Sequence, residues 1–265
     1  MSLRDEFISA DAQALLQANG LTGFDAIWNL QAEEVEPGNV RRGGWSNVAR
    51  FELVDHQGAK KAIYIKRQQN HSTRLPRYFF IKIPTILKEW LAIQWFKKNN
   101  IQTIDPVYFA WRKKEGDHQA ILVTWELTGF SPLQNYLPHW GEKSTQERHT
   151  VIREVANVTK RMHAAHIQHN CFYPKHVFIK IENNKVDVSI IDLEKCRWRL
   201  LFKRIFNRDM STLYKRGLML SKKEKLLFIH HYFGVKKLAK AQRTQCARLL
   251  TFIKVRTFRN GLPEN

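Results

Sequence analysis

The sequence predicts an α+β fold in two lobes, with a β-rich N-terminal lobe and its N-terminal extension over residues 1–125 and a mostly helical C-terminal lobe over residues 126–265. The first observation behind this prediction is a succession of two strand-like runs, one helical pattern and two further strand-like runs. The second is the helical periodicity that dominates after the turn-rich segment 128–132. A chain of 265 residues with 43% hydrophobic content can bury a core in each lobe, which excludes a mainly disordered protein.

Four runs rich in β-branched and aromatic residues make up the N-terminal lobe. They lie at residues 48–54, 60–67, 106–112 and 119–125. The polar turn at 55–58 ends in glycine and predicts a hairpin between the first two runs. Apolar residues at helical spacing predict a helix over Thr85–Lys98, and Pro84 is expected to open it because proline is favoured at the first helical position.

The C-terminal lobe is predicted from one long helix and one hairpin. Apolar residues at helical spacing cover residues 144–167, where Ser144 and Glu147 have the spacing of a capping box. Two short strands at 176–181 and 186–191 flank a polar turn and form the hairpin. Beyond the hairpin the pattern is helical and basic.

The formal net charge of +20 favours anionic partners such as nucleotides, nucleic acid or lipid headgroups. Residues 195–265 hold 19 Lys and Arg against 3 Asp and Glu, an excess of 16 positive charges. No recognition helix, zinc finger or RNA-binding signature is visible, so nucleic acid is not favoured. Segment 195–208 interleaves basic and apolar residues, which suits the anionic cytoplasmic leaflet or a phosphorylated lipid. A core-packed helix with a basic rim is the alternative.

The three cysteines, Cys171, Cys196 and Cys246, lack CxxC spacing and predict neither a disulfide framework nor a zinc site. A reducing compartment is therefore expected. The N-terminus has no uninterrupted apolar stretch of the kind a signal peptide needs. Charges also break the apolar runs before they reach the roughly 20 residues of a spanning helix. We expect a cytoplasmic protein, peripheral on the inner face of the cytoplasmic membrane.

Two opposite charges in the N-terminal lobe have the placement of a phosphate-binding pair. Lys66 ends the second strand-like run, and Glu89 lies 23 residues later on the following helix. Phosphoryl transfer needs positioning and charge neutralisation more than covalent chemistry, and such a pair holds the α- and β-phosphates of a nucleotide. The alternative is a surface lysine and an unrelated surface glutamate.

A glycine-containing segment at 41–48 precedes the first strand. Gly43 and Gly44 would let backbone N–H groups approach a phosphate, and Ser46 follows them. Against the G-x-G-x-x-G-x-V pattern only Gly43 matches, because Arg41 and Ser46 occupy the two outer glycine positions. An ordinary loop is the alternative to a phosphate-covering turn.

An acidic pair closes the second hairpin. Asp192 follows a buried Val/Ile run, and an acid in that place is costly unless it meets a cation or a hydrogen-bond network. Glu194 lies two residues later, so continued extended geometry would point both carboxylates to one side and would suit Mg²⁺. The alternative is an Asp192 that caps the next turn.

Several segments occur in the order typical of one kinase family: residues 64–67, 84–89, 168–173 with His176, 192–195 and 208–209. On these segments the sequence resembles the bacterial lipopolysaccharide core kinases of the Kdo/WaaP family, which have a protein-kinase-like fold, and most closely their InaA branch. The resemblance covers about residues 40–215. It implies ATP and Mg²⁺ as cofactors and an anionic glycolipid or sugar as the acceptor.

The resemblance also implies roles for individual residues of the nucleotide site. Lys66 would bind the nucleotide phosphates, and Glu89 would orient it. Gly43 and Ser46 would belong to the segment that covers the phosphates. The backbone of Glu126 and Leu127 would lie at the hinge and meet the adenine; these two residues are adjacent in the sequence.

In the C-terminal lobe the resemblance implies a metal site and a brace. Asp192 would hold Mg²⁺ as the acid of the kinase D-F-G element does, and His176 stands where kinases place a metal-binding asparagine. Asp209 resembles the buried acid that braces the catalytic loop. Asp209 would therefore be a support residue for the loop that contains His169 and Cys171, and not a catalyst.

The family pattern and the sequence differ at Cys171, which stands where the catalytic loop has an aspartate. A thiol is a poor general base because it is mostly protonated at neutral pH. His169, Glu194 or His176 would then have to substitute for the missing carboxylate, or Cys171 is an inert packed thiol. Since the transition state of phosphoryl transfer is loose, losing the base slows the reaction without necessarily abolishing it.

Two functions follow from these observations. The first is an ATP-dependent kinase that phosphorylates a sugar hydroxyl of lipopolysaccharide core or a similar glycolipid. The alternative is a catalytically weak or inactive kinase-like module that binds nucleotide in a stress response. The identity of residue Cys171 divides the two.

Overall fold

The computed structural model describes residues 6–41, 43–74, 82–200, 202–215 and 220–259. The chain divides into two compact units. The first combines Met1–Gln94 with Ile104–Thr128, and the second combines Trp95–Thr103 with Gly129–Asn265.

An antiparallel six-stranded sheet forms the centre of the first unit, in the order β1-β7-β8-β4-β3-β2. Its strands are β1 (Phe7–Ile8), β2 (Glu33–Arg41), β3 (Gly44–Val54), β4 (Lys60–Gln69), β7 (Pro106–Lys114) and β8 (Asp117–Trp125). A small hairpin of β5 (Ser72–Arg74) and β6 (Lys82–Pro84) precedes helix α3 (Thr85–Lys98). The four predicted strands and the predicted helix are confirmed. Pro84 ends β6 and does not open α3, whose first backbone N–H is accepted by the His71 carbonyl.

The N-terminal segment supplies elements that the sequence patterns did not predict. Helices α1 (Gln13–Ala18) and α2 (Gly23–Asn29) belong to this segment. Leu16 and Ile27 share a hydrophobic cluster with Ile63 and Ile65 of β4. Because side chains alternate along a strand, the intervening residues of β4 lie on the opposite face of the sheet.

The second unit is mostly helical, as predicted. Its helices are α4 (Leu133–Tyr136), α5 (Thr145–Ala164), α6 (Phe202–Lys215), α7 (Lys222–Phe233) and α8 (Lys240–Arg259). Its strands are β9 (Ser131–Pro132), β10 (Ile167–Gln168), β11 (Val177–Glu182), β12 (Lys185–Ile190) and β13 (Arg197–Trp198), arranged as the sheets β12-β11-β9 and β10-β13. Short 3₁₀ turns cover Leu137–Glu142, Pro174–His176 and Leu193–Lys195.

Two details of the predicted long helix and hairpin are now visible. Ser144 caps α5 by accepting a hydrogen bond from the Glu147 N–H, but the Glu147 carboxylate accepts one from the Tyr136 hydroxyl instead of closing the capping box. The predicted hairpin of β11 and β12 turns through Asn183 and Asn184, both with left-handed φ, as a two-residue hairpin turn requires.

Segment 195–208 is not one continuous helix, contrary to the helical pattern expected there. Arg197 and Trp198 form β13, which pairs with β10, and the Arg199 N–H donates to the His166 carbonyl. These backbone groups are satisfied by strand pairing, so the helix begins only at Phe202. Within the described residues, no helix combines the length and apolar character needed to cross a bilayer.

Candidate functional site

Lys66 and Glu89 are brought together in the first unit. Lys66 lies on the face of β4 opposite the cluster that contains Ile63 and Ile65, and Glu89 is on α3. The Lys66 Nζ donates to Glu89 Oε2 at 2.7 Å, and the side chains are only 20% and 6% exposed. A carboxylate this buried needs a cationic partner, and Lys66 supplies it. The pair predicted from the sequence is therefore present, while its role in nucleotide binding stays a prediction.

The first turn of α3 is fixed by buried polar residues from the end of β4 and the segment after it. Gln68 Oε1 accepts hydrogen bonds from the Thr85 hydroxyl and the Ile86 N–H, both at 2.9 Å. The Thr85 oxygen also lies 2.6 Å from His71 Nδ1. Gln68 Nε2 in turn donates to Ser46 Oγ at 3.4 Å.

The glycine-containing segment forms the turn between β2 and β3; Arg42 lies outside the described residues. Gly43 has a φ of 76°, in the left-handed region that favours glycine. At Gly44 a Cβ atom would lie 2.0 Å from the carbonyl oxygen of Gln69, so no other residue fits. Ser46 is part of β3. The two glycines are thus explained by the hairpin itself, and their contact with phosphate stays a prediction.

Glu126 follows β8 and anchors its side chain within the first unit. Its carboxylate accepts hydrogen bonds from Arg50 Nε and Nη2, at 2.9 and 3.2 Å, and from the Tyr64 hydroxyl at 3.3 Å. The Arg50 guanidinium lowers the pKa of the Glu126 carboxyl. The Glu126 N–H donates to Ala62, and its carbonyl accepts from the Thr128 N–H. Among the described residues, none hydrogen-bonds to the backbone of Leu127, and the contact of this backbone with adenine stays a prediction.

Asp209 of α6 organises the loop of the second unit that contains Cys171. Its carboxylate accepts hydrogen bonds from the backbone N–H groups of His169 at 2.7 Å and Asn170 at 2.8 Å, and His163 Nε2 lies 3.3 Å from it. The Asp209 side chain is fully buried. The bracing role predicted for Asp209 is confirmed by these contacts.

His169 is fully buried and uses both ring nitrogens. The Cys171 N–H donates to its Nδ1 at 3.3 Å, so the proton of the neutral ring is on Nε2, which donates to the Ile191 carbonyl at 3.0 Å. Burial lowers the pKa of His169. His169 therefore holds the loop, and in this geometry it has no ring nitrogen available to accept a proton.

Cys171 is buried, and its backbone carbonyl oxygen accepts two hydrogen bonds. The carbonyl accepts hydrogen bonds from the Tyr173 N–H and from His176 Nδ1, each at 2.8 Å. Cys171, which the resemblance places at the position of a catalytic aspartate, is thus a buried thiol.

His176 and Asp192 meet at the end of the hairpin of β11 and β12. His176 Nε2 lies 3.3 Å from Asp192 Oδ2. Burial lowers the pKa of His176, and the nearby Asp192 carboxylate opposes this effect. In a neutral ring whose Nδ1 donates to the Cys171 carbonyl, the lone pair on Nε2 faces the carboxylate. Two acceptors in this arrangement suit a cation between them.

The backbone at Asp192 corrects one prediction. Asp192 has left-handed φ and ψ of 58° and 57°, and a 3₁₀ turn follows at Leu193–Lys195. Extended geometry therefore ends before Glu194, and the argument that both carboxylates point to one side fails. The preceding strand is held by Thr103, whose hydroxyl donates to the Ile190 carbonyl at 2.5 Å.

Among the described residues, no group of three or more His, Cys, Asp and Glu side chains is placed to hold a metal ion. The donor set is thus limited to His176 and Asp192. The Asp192 carboxylate of this set fits Mg²⁺, which is usually bound by one or two carboxylates and completes its shell with water and substrate phosphate oxygens, while the part of His176 in metal binding stays a prediction.

The comparisons with known proteins place the chain in a family. Residues 25–232 match the model of the lipopolysaccharide kinase (Kdo/WaaP) family. The chain belongs to this family. Among curated Kdo/WaaP-type relatives, the lipopolysaccharide core heptose(I) kinase WaaP of Escherichia coli is 23% identical over 262 residues, 92% of this chain and 95% of that protein. Protein InaA of Escherichia coli (strain K12) is 32% identical over 194 residues, 72% of this chain and 87% of that protein.

A solved structure confirms the fold predicted from the sequence. The structure of WaaP in complex with acyl carrier protein superimposes with a TM-score of 0.70, at 20% sequence identity, over 96% of this chain and 98% of that one. Membership of the Kdo/WaaP family implies ATP as the phosphate donor, usually with a metal ion.

Two residues that shape this Kdo/WaaP-type site were missed from the sequence. Arg50 holds the Glu126 carboxylate, and Gln68 holds the start of α3. Arg50 lies inside a β-rich run, between Ala49 and Phe51, and Gln68 directly follows the next run, in the part of β4 beyond its predicted end. That position is the available signal, because a polar side chain in a strand interior requires a partner.

Proposed function

We propose that the chain is an ATP-dependent kinase that transfers phosphate to a sugar hydroxyl of lipopolysaccharide core or a similar glycolipid. The observation that supports this most is the buried Lys66–Glu89 ion pair at 2.7 Å. A lysine held by a glutamate in this way presents its ammonium group in a fixed direction for the phosphates of a nucleotide.

In this proposal residues 1–125 bind the nucleotide and residues 126–265 contain the catalytic loop and the metal-binding acid. Lys66 contacts the phosphates, and the turn at Gly43 with Ser46 covers them. Leu127 presents its unbonded backbone N–H and carbonyl to the adenine edge, while Glu126 fixes that segment through its ion pair with Arg50.

Asp192 and His176 would hold the metal ion in this proposal. When bound, Mg²⁺ supplies charge neutralisation at the transferring phosphate. The residues themselves are prepared for this role, because Asp209 and His169 fix the backbone of the loop and the Cys171 carbonyl fixes the tautomer of His176.

The general base is the residue that would accept the proton of the acceptor hydroxyl, and the sequence offered three candidates for it besides Cys171. His169 has both ring nitrogens occupied, and Cys171 is packed as a thiol. Of the three candidate residues, Glu194 is a half-buried carboxylate two positions after Asp192. We propose that Glu194 assists the acceptor hydroxyl. Phosphate transfer would then be slower than in a kinase that has an aspartate at the position of Cys171.

A catalytically inactive nucleotide-binding module is the second candidate function. The packed surroundings of Cys171 favour it, since the residue in the place of the catalytic acid is buried and neutral side chains such as Phe172 follow it. Both candidates require nucleotide binding at Lys66, and only the first requires transfer.

We further propose that the protein is cytoplasmic and contacts the anionic leaflet through its basic C-terminal region. The exposed side chains there combine charge with apolar surface. They include Arg197, Trp198, Arg199, Leu200, Lys222, Lys223, Lys225 and Leu226. Such a surface binds anionic lipid electrostatically, so binding to liposomes containing phosphatidylserine should fall as salt rises. Equal binding to neutral liposomes, or none to either, would remove this part of the proposal.

The central experiment measures ATP affinity by calorimetry with and without Mg²⁺, followed by phosphate transfer from labelled ATP to purified core oligosaccharide. The test variant is Lys66→Met, and Lys60→Met on the same strand is the matched control, because Lys60 is 67% exposed and pairs with Glu52. Loss of the lysine should lower ATP affinity at least tenfold, as expected for a charge-assisted hydrogen bond, while the control binds like the parent. Equal ATP affinity in both variants would refute the kinase assignment.

A further inference from the structure

A network of buried side chains joins the strand that contains Lys66 to the helix that contains Glu89. Gln68 and Thr85 are at most 1% exposed, and Ile86 is fully buried. Gln68 lies two residues after Lys66, so both side chains leave β4 on the same face. Thr85 and Ile86 are the first residues of α3, and Glu89 follows Ile86 by three positions, one helical turn.

Gln68 satisfies backbone groups that a helix cannot satisfy internally. The first N–H groups of a helix have no partner within it, and a side-chain oxygen normally accepts from one of them. Here Gln68 Oε1 accepts from the Ile86 N–H and from the Thr85 hydroxyl, both at 2.9 Å. The Thr85 N–H donates to the His71 carbonyl at 3.0 Å. The start of α3 is thus attached to β4 by a residue on the strand of Lys66.

We propose that Gln68 is a positioning residue of the nucleotide site. It holds the start of α3 in the position in which Glu89 contacts Lys66. The inference rests on the proposed kinase function, and it concerns how that site is kept assembled. Gln68 also donates to Ser46 at 3.4 Å, so one side chain connects the glycine hairpin, the strand of Lys66 and the helix of Glu89. The Lys66–Glu89 pair is accordingly held by contacts within the first unit.

The test compares substitutions that remove the network with substitutions that keep it. Gln68→Met removes the accepting oxygen at nearly constant size, and Thr85→Val removes the hydroxyl. Thr85→Ser keeps the hydroxyl. The matched control is Gln69→Met, because Gln69 is the next residue of the strand and donates to Asp117 on β8, away from α3.

We expect Gln68→Met and Thr85→Val to lower ATP affinity about tenfold, the loss typical of a buried hydrogen bond, and to speed hydrogen exchange at the Ile86 amide. Thr85→Ser and Gln69→Met should match the parent in both measurements. In a Glu89→Gln background, Gln68→Met should cause no further loss of ATP affinity, because the effect of Gln68 acts through Glu89.

A role limited to general stability gives a different result. Gln68→Met and Gln69→Met would then lower the melting temperature alike and leave ATP affinity at the parent value, which would overturn the inference. If the parent itself bound no ATP, the proposed function would fail separately. Mass-spectrometric acylation of Lys66 would then decide the inference about α3: faster labelling in Gln68→Met than in Gln69→Met supports it, and equal labelling overturns it.

Discussion

Charge is compensated differently in two regions: around Lys66 in the first unit, and around His176 and Asp192 in the second. In the first, an ammonium group faces a carboxylate at 2.7 Å, and the opposite charges compensate each other. In the second, His176 Nε2 and a carboxylate oxygen of Asp192 lie 3.3 Å apart, and Nε2 of a neutral ring is an acceptor like the carboxylate. The first region is an ion pair between two side chains of the chain itself, whereas the second has a carboxylate that a bound cation would neutralise. If the two regions bind phosphate and metal as proposed, the first is formed without a ligand and the second depends on what binds.

The same contrast extends to residue identity. By the family resemblance, Lys66 and Glu89 follow the kinase pattern, whereas Cys171 stands where the catalytic loop is expected to have an aspartate and His176 where a metal-binding asparagine is expected. The backbone of that loop is nevertheless held by Asp209, with hydrogen bonds of 2.7 and 2.8 Å. The contacts that hold the loop backbone are thus present although residue 171 is a cysteine.

The largest effect on phosphate transfer is expected from an aspartate at position 171. Cys171→Asp is expected to raise phosphate transfer to core oligosaccharide, because a general base contributes about 10²- to 10⁴-fold to a rate. The measurement is turnover with labelled ATP, next to a thermal melt, since a new carboxylate at a buried position lowers stability unless it finds a partner.

Cys171→Ser is the control for size, because it introduces no carboxylate. It should transfer phosphate no faster than the parent. A folded Cys171→Asp variant that binds Mg-ATP and shows no turnover would favour the inactive nucleotide-binding module.

A substitution of Asp209 tests whether its hydrogen bonds to the loop backbone stabilise the folded protein. Both carboxylate oxygens accept backbone N–H bonds, so Asp209→Asn places an amide NH₂ against one of these donors. We expect a loss of about 3 kcal/mol in the free energy of unfolding, measured by urea denaturation. Asp187→Asn on an exposed position of β12 is the control and should change stability little. An equal effect of the two substitutions would contradict the bracing role.

Much of this architecture follows from local patterns, and the exceptions have physical causes. Apolar strand-like runs and helical spacing predicted β3, β4, α3, β7 and β8, because these elements bury apolar side chains, on both faces over much of β7 and β8. The N-terminal helices were missed since α1 and α2 contain only 6 and 7 residues, too few for a clear period. The helix predicted at residues 195–200 was wrong because pairing of β13 with β10, a tertiary contact, overrode the local pattern.

The site was less predictable than the fold. The order of Lys66, Glu89 and Asp192 indicated their regions, but the left-handed backbone of Asp192 and the attachment of α3 by Gln68 depend on contacts between distant segments. A periodic pattern contains no information on either feature.

A substitution of Asp192 tests whether the His176–Asp192 region binds a metal ion. Asp192→Asn should weaken the Mg²⁺-dependent part of ATP binding by about tenfold while leaving metal-free ATP binding unchanged, because a neutral amide is a poorer ligand for a hard cation. Calorimetry with ATP in the presence and absence of Mg²⁺ measures both. Glu194→Gln, two residues away, is the control for the loss of a charge nearby. The metal role would be wrong if the folded Asp192→Asn variant kept the Mg-ATP affinity of the parent.

The smallest expected effect is a pH dependence of stability from the neutral histidines of the second unit. Burial lowers the pKa of His169 and of His176 below the ordinary value of 6.5. The unfolded chain then binds more protons than the folded one as the pH falls below about 6.5, so the stabilising contribution is complete above that pH and is lost below it. Urea denaturation at pH 5 to 8 should show stability falling on the acid side. His169→Gln should reduce that slope more than His231→Gln, since the pKa of His231 is also lowered but its side chain is only half-buried. Identical slopes in the parent and both variants would show that these rings are not the groups that titrate.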